Sequence, residues 1–301
     1  MRIAITGGSG FVGRRLADRL RADGHEPVIV SRRTGYDLGA EQEGLAEAFR
    51  GVDAVVHCAG INREIGDQTY ARVHVAGTAC VVEAARTAGV ERLVMLSFLR
   101  ARPDGPTPYH RSKWAAEELV RDSGLRFTIL KAGVIHGRGD HMLDHLSHAL
   151  HTFPIFGLVG MRDRLVRPVA VDDVAGVLVA AAIGDPRFAD RTIAVLGPEQ
   201  LTLGAAVRRV AQVTGRRPRF IRLPIAAHLV IARLAEWTMR VPLVSTAQVH
   251  ILAEGIVEPL PSAEPPPADL TPRTPFSEAV IRAGLAQPGR FRTSDLRWCA
   301  P

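Results

Sequence analysis

Three glycines spaced Gly7-x-x-Gly10-x-x-Gly13 follow directly on the run Met1-Arg-Ile-Ala-Ile-Thr6 and lead into an amphipathic stretch, Phe11 to Ala22. This junction restricts the fold more than any other part of the chain. A strand that turns at once into a helix needs glycine where the backbone turns tightly and where helix and strand pack closely. The free N–H groups and the positive dipole end of that helix then suit an anion, above all a pyrophosphate. Gly7, Gly10, Phe11, Val12 and Gly13 are therefore the expected phosphate-binding residues of a dinucleotide site.

The alternation begun there continues. Strands are expected at 25–31, 52–59, 92–97 and 127–130, with a short strand end at Tyr36-Asp37-Leu38. Helices are expected at 41–50, 67–88 and 108–122, the last with Pro108 at its start and Gly124 beyond its end. Such alternation predicts an α/β fold with a parallel, doubly wound sheet of the Rossmann type. After Gly133 the pattern loosens. A loop at Gly137-Arg-Gly-Asp140 precedes helices at 141–152, at 202–214 and at 223–240, and Asp172-Asp173 head another that runs to Ile183. The Pro-rich stretch 262–275 reads as irregular. The expected division is a dinucleotide-binding domain, 1–132, with contributions from about 166–197. A smaller C-terminal substrate-binding lid then comprises 133–165 and 198–301.

A chain of 301 residues, 47% of them hydrophobic, has enough apolar material for a sizeable core. Cys58, Cys80 and Cys299 have neither metal-ligand spacing nor the pattern of a disulfide framework, so no metal is expected. No signal peptide is expected ahead of a first strand that starts at residue 1, and no 18-residue apolar run suggests a membrane span. A cytoplasmic enzyme is the expectation. The net charge of +7 comes from scattered arginines, with only short pairs such as Arg32-Arg33, Arg208-Arg209 and Arg216-Arg217. With aromatics at 5%, this argues against nucleic acid as a partner. The apolar run 223–234 suggests a hydrophobic substrate, a partner surface, membrane contact through 223–240, or ordinary core packing. A homodimer is a further expectation.

Tyr109 and Lys113 form a Tyr-x-x-x-Lys pair in a chain with three tyrosines and only two lysines, Lys113 and Lys131, among 38 Lys+Arg residues. On a helix the two side chains share a face. There an ammonium can stabilise a tyrosinate and lower the phenol pKa, a task guanidinium does less well. Arg32 and Arg33 stand after the second strand, where an acid would hold the adenine ribose for NAD(H). Two guanidiniums suit a 2′-phosphate instead, so NADP(H) is the preferred cofactor, with NAD(H) possible.

Taken together, Thr6-Gly7-x-x-Gly10-x-x-Gly13 and Tyr109-x-x-x-Lys113 resemble the short-chain dehydrogenase/reductase superfamily, in its extended or atypical branch. The resemblance runs through most of the chain. It includes Val73-His-Val-Ala-Gly77-Thr78, Val90-Glu-Arg-Leu-Val-Met-Leu-Ser97, Lys131-Ala-Gly133 and Arg167-Pro-Val-Ala-Val-Asp172-Asp173. The detailed pattern is most similar to members resembling the accessory dehydrogenase-like subunit of respiratory complex I. The resemblance implies Ser97, Tyr109 and Lys113 as catalytic residues acting on a small-molecule carbonyl or alcohol. It also implies that Asp37, Ala59, Gly60, Lys131 and Gly133, with Tyr109 and Lys113, line the cofactor. His74 departs from the family's usual Asn and reads as a packed histidine. Three functions follow: an NAD(P)-dependent oxidoreductase, an epimerase or dehydratase of nucleotide-sugar type, or a non-catalytic NADP(H)-binding sensor or assembly factor.

Overall fold

The computed structural model describes residues 1–39, 43–239, 242 and 244–285. Along the chain run β1 (Arg2–Thr6), α1 (Phe11–Ala22), β2 (Glu26–Val30), α2 (Glu43–Ala48) and β3 (Ala54–His57). Then come a π-helical turn (Ala71–Ala76), α3 (Gly77–Thr87), β4 (Arg92–Phe98), α4 (Pro108–Arg121) and β5 (Arg126–Ala132). These are followed by β6 (Ile135–His136), α5 (His141–Thr152), β7 (Ile155–Val159), β8 (Leu165–Val166), β9 (Val169–Ala170), α6 (Val171–Ile183) and β10 (Arg191–Val195). The last are β11 (Leu201–Thr202), α7 (Leu203–Val213), β12 (Arg219–Leu223), α8 (Ile225–Thr238), α9 (Thr246–Glu254) and α10 (Glu278–Gly284).

Two compact units divide the chain. The first comprises Met1–Gly133, Val171–Leu196 and Glu258–Arg273. Its sheet has the order β10-β5-β4-β3-β1-β2, every neighbouring pair being parallel. Strand alternation sends Ala4, Val55, Leu93, Met95 and Ile129 to one face, where they join Leu45, Val81, Ala85, Ala116 and Val120 from α2, α3 and α4, and Phe49 just after α2, in one core. α1 and α6 pack on each other and on the strands. Both faces are thus covered, which is why β1, β3 and β4 read as nearly continuous apolar runs.

Several details differ from the sequence reading. Tyr36-Asp37-Leu38 is not a strand end: β2 runs into a 3-10 turn, Arg32–Thr34, closed by Gly35 at φ +91°. The sixth strand is β10, on the opposite edge beside β5. The helix expected at 67–88 starts later, because Ile65 and Gln68 bridge to each other and the Glu64 carboxylate accepts from the Tyr70 N–H. Residues 258–273, expected with the lid, group with the first unit, where the Lys131 ammonium donates to the Leu260 carbonyl.

The second unit comprises Val134–Ala170, Gly197–Val257 and Thr274–Pro301. Here β7 and β12 pair in parallel, β8 and β11 antiparallel, and β6 and β9 in parallel. Its core joins Leu143 and Leu150 of α5 to Leu158, Val207, Val210, Phe276 and Ile281. The helices expected at 141–152 and 202–214 are α5 and α7, capped by the side chains of Asp140 and Thr202, which accept from the Met142 and Ala205 N–H groups. Arg240 and Cys299 lie outside the described residues.

Candidate active site

At the end of β1 the chain turns through Gly7, whose φ is +70°. A Cβ on Gly7 would lie 2.7 Å from the Ala59 backbone, and one on Gly13 would collide with the Gly7 carbonyl. The glycines therefore let β1, α1 and the end of β3 close on one another. Helix α1 starts at Gly10 without a side-chain cap and has no acid in its first turn. The N–H groups of Phe11, Val12 and Gly13 thus have no intrahelical acceptor and no competing carboxylate. This cradle fits a pyrophosphate.

Arg32 and Arg33 are exposed in the turn after β2, and neither has an ion-pair partner among the described residues. The Ser31–Thr34 capping box holds that turn. Asp37 faces inward from it and accepts from the Arg72 guanidinium at 2.9 Å and from the Gly39 N–H.

Thr107 caps α4 and Pro108 occupies its first turn, so the helix begins where Tyr109 and Lys113 point inward together. Both are 7% exposed. The Lys113 ammonium donates to the Leu96 carbonyl at 3.4 Å, and a Cβ added to Gly60 would lie 3.0 Å from its Nζ. Ala59 and Gly60 thus pass beside Lys113. The Tyr109 ring is edge-on to Tyr70, His74 and Phe98, with centroids 5.6, 5.7 and 5.2 Å away. Burial lowers the Lys113 pKa to about 8, opposed by the Glu117 carboxylate. Burial raises that of Tyr109, the reverse of the lowering expected from its lysine neighbour. The phenol is held as the neutral acid.

His74 is buried at the centre of a hydrogen-bonded chain. Its Nε2 accepts from the Ile61 N–H at 3.1 Å, so Nδ1 carries the proton and donates to the Ser112 hydroxyl at 2.9 Å. Ser112 donates in turn to the Tyr109 carbonyl. His57 takes the opposite tautomer. Thr78 donates to the His74 carbonyl, so it accepts from His57 Nε2, and His57 Nδ1 accepts from the Thr6 hydroxyl at 2.6 Å. Burial, then repulsion from Lys113, lowers His57 to about 3 and His74 to about 2. Both are neutral struts that tie β1, β3 and the π-turn to α4. His74 is a packed histidine, as its sequence context suggests. Cys58, pushed up to about 12 by burial, is no thiolate.

Ser97 and Lys131 meet a different partner. They are register neighbours on β4 and β5, on the face that α4 covers. Ser97 donates to Glu117 at 2.6 Å, and Lys131 donates to Glu117 at 3.3 Å and to the Ala101 carbonyl at 2.9 Å. Arg121 also donates to Glu117, at 2.8 Å. In this structure the Ser97 hydroxyl and the Lys131 ammonium both bond to Glu117 and so hold α4 against the sheet. Gly133 closes the first unit just beyond β5. Glu117, Ser112, His57 and Thr78 were not singled out from sequence. The Lys113-x-x-x-Glu117 spacing was the available signal for the first of them.

Known proteins match the chain in sequence and in fold. The family model described as NAD dependent epimerase/dehydratase family matches residues 3–186. The chain is 30% identical to the ceramide reductase of Caulobacter vibrioides over 78% of this chain and 77% of that protein. It is 33% identical to the (4-alkanoyl-5-oxo-2,5-dihydrofuran-3-yl)methyl phosphate reductase of Streptomyces griseus, over 75% and 78%. To the mouse NADH dehydrogenase [ubiquinone] 1 alpha subcomplex subunit 9 it is 26% identical, over 76% and 66%, in line with the respiratory-subunit resemblance. It also matches an uncharacterized protein of Mycobacterium tuberculosis at 30% identity, spanning only 23% of that protein's length. Among solved structures, MoeE5 with UDP-glucose and NAD superposes at a TM-score of 0.63 and 25% identity, over 74% of this chain and 85% of that one.

Proposed function

The chain belongs to the NAD dependent epimerase/dehydratase family, and from that premise we propose an oxidoreductase that prefers NADP(H) and acts on the carbonyl or alcohol of a small molecule. The observation that carries the proposal is the buried Tyr109–Lys113 face of α4, beside which Gly60 leaves the backbone open. Two relatives that match over three quarters of the chain are named as reductases, which supports the direction of the chemistry. Substrate choice is assigned in this reading to the second unit.

When bound, the nicotinamide supplies or accepts a hydride at the reacting carbon. The glycine turn and the start of α1 would hold the pyrophosphate, and Lys113, which lies beside Gly60, would hold the ribose. Tyr109 binds the carbonyl oxygen and passes its proton as negative charge grows there. Its raised pKa keeps that proton in place until the charge develops. Lys113, with a pKa near 8, stays cationic at neutral pH and stabilises the tyrosinate left behind. Ser97 enters this reading as a brace for α4 through Glu117, with Tyr109 as the principal donor.

Replacing Tyr109 by Phe should lower turnover by about two to four orders of magnitude. NADPH affinity and the melting temperature should stay near wild type, since the ring is kept. The assay follows NADPH absorbance against a carbonyl panel that begins with the substrates printed in the relatives' names. Undiminished turnover by Tyr109→Phe would remove Tyr109 as the acid.

Cofactor choice is tested separately. Arg32→Glu should weaken NADPH binding by about 1.5–3 kcal/mol, the worth of a lost charge-assisted bond, and leave NADH nearly unchanged. A wild-type protein that binds both cofactors equally in a fluorescence titration contradicts the NADP(H) preference. The likeness to MoeE5 favours a second reading, an epimerase or dehydratase that retains NAD through its cycle. Purified protein that carries tightly held NAD and exchanges none of it would select that reading.

A further inference from the structure

Helix α8 is apolar on both sides. His228, Ala232 and Ala235 are buried against the second unit, with Ala232 in a cluster with Val159 and Val249. The outward side carries Val230, Ile231, Leu234 and Trp237, which are 56, 45, 53 and 64% exposed. Positions 230, 234 and 237 recur at helical spacing, so their side chains form one stripe along the helix. Large apolar side chains gathered in such a stripe mark a contact surface.

The charge of the segment that carries the stripe indicates what covers it, and Arg233 lies on α8 itself. Between residues 216 and 239 there are five arginines and one acid, Glu236. Glu236 is turned inward and accepts from the Thr246 N–H at 2.8 Å. Arg217, Arg219 and Arg233 are exposed and have no ion-pair partner among the described residues. A second copy docking by this face would set the same arginines against each other, because a two-fold contact pairs a patch with itself. An anionic lipid surface meets both features: acyl chains take the apolar stripe, and headgroups take the guanidiniums. Trp237 sits at the end of the stripe, and tryptophan favours the boundary between acyl chains and headgroups. A helix of 14 residues is about 21 Å long, too short to cross a bilayer, and no helix among the described residues is long and apolar enough to do so.

We propose that α8 is a membrane-docking helix, lying in the plane of an anionic bilayer surface with Val230, Leu234 and Trp237 inserted and Arg217, Arg219 and Arg233 on the headgroups. The site is independent of the cofactor reading above, and its test needs no turnover.

Full-length protein is floated with vesicles of phosphatidylcholine alone or mixed with phosphatidylglycerol. Wild type should float with the mixed vesicles, remain at the bottom with phosphatidylcholine alone, and be released by high salt. Val230→Ser/Leu234→Ser should abolish flotation without lowering the melting temperature, because both side chains are more than half exposed. Arg217→Ser/Arg219→Ser should weaken vesicle partitioning by about tenfold or more, at about 1 kcal/mol per arginine near the surface. If the serine pair does not fold, the arginine pair and the salt dependence decide. Three results overturn the proposal: no flotation of wild type with the anionic vesicles, flotation that both variants retain, or a dimer in sedimentation that Trp237→Ser dissociates while vesicles are ignored.

Discussion

Lowering the pH from about 7.5 to about 5 should cost the first unit about 4 kcal/mol through His57 and His74 alone, at up to ~1.4 kcal/mol per pH unit for each below 6.5. In the folded protein His57 protonates only near pH 3 and His74 near 2, whereas the unfolded chain protonates both near 6.5. The unfolded state therefore binds more protons below pH 6.5. The stability these histidines contribute is complete above that pH and is lost progressively as the pH falls toward 3. The physical cause is burial, which takes a charged ring out of water, followed by repulsion from the Lys113 ammonium. Asp140 of the second unit acts in the opposite sense, since burial raises its pKa to about 7, so the two effects are separated by substitution. Urea titrations across this range should show a slope that falls by about one proton in His74→Asn, which cannot titrate. An unchanged slope in that variant would contradict a neutral buried His74. With total stabilities of order 5–15 kcal/mol for proteins generally, such a loss makes mild acid a denaturant here.

Removing the Glu117 carboxylate should be the most damaging single change away from the Tyr109–Lys113 pair. Among the described residues, Glu117→Leu leaves the Lys131 ammonium, 1% exposed, with the Ala101 and Leu260 carbonyls as acceptors; it also removes the acceptor of Ser97, while Arg121 keeps Glu118 and Thr192. Breaking a buried pair from one side costs about 3–5 kcal/mol, because the remaining charge has been taken out of water without compensation. Lys131→Met should cost a similar amount. The double variant Glu117→Leu/Lys131→Met should recover most of the loss, as no charge is then stranded. Urea denaturation of the three variants measures this directly. Equal losses that simply add would show that Glu117 and Lys131 do not act as a pair. A consequence for the site is that Glu117→Leu should also disturb cofactor binding, because the carboxylate raises the pKa of Lys113 one turn earlier on α4.

The relation between sequence and structure differs sharply from one part of this site to another. The strand, the glycine turn and helix α1 were legible because each is set within about twenty consecutive residues, where periodicity and backbone freedom act directly. The same holds for Tyr109 and Lys113, four residues apart on a helix whose proline start and capping threonine are local. Arg32 and Arg33 were legible as a cationic turn after β2, although the turn itself is 3-10 and not the end of a strand.

Other features depend on pairings that no local pattern encodes. Ser97 and Lys131 are 34 residues apart, yet the β4–β5 register makes them neighbours and sends both to Glu117. A different register would have freed them for a ligand. β10 joins the sheet from more than fifty residues beyond β5, so a contiguous reading put the missing strand near Tyr36 instead. The pKa of Tyr109 turned on burial among Tyr70, His74 and Phe98, which sequence spacing alone does not reveal. By itself, then, the sequence determined the nucleotide-binding junction and which face of α4 carries Tyr109 and Lys113, because both follow from backbone conformation over short spans. The tertiary structure alone decided which polar groups are spent on holding that helix in place, because desolvation and strand register are properties of the assembled sheet.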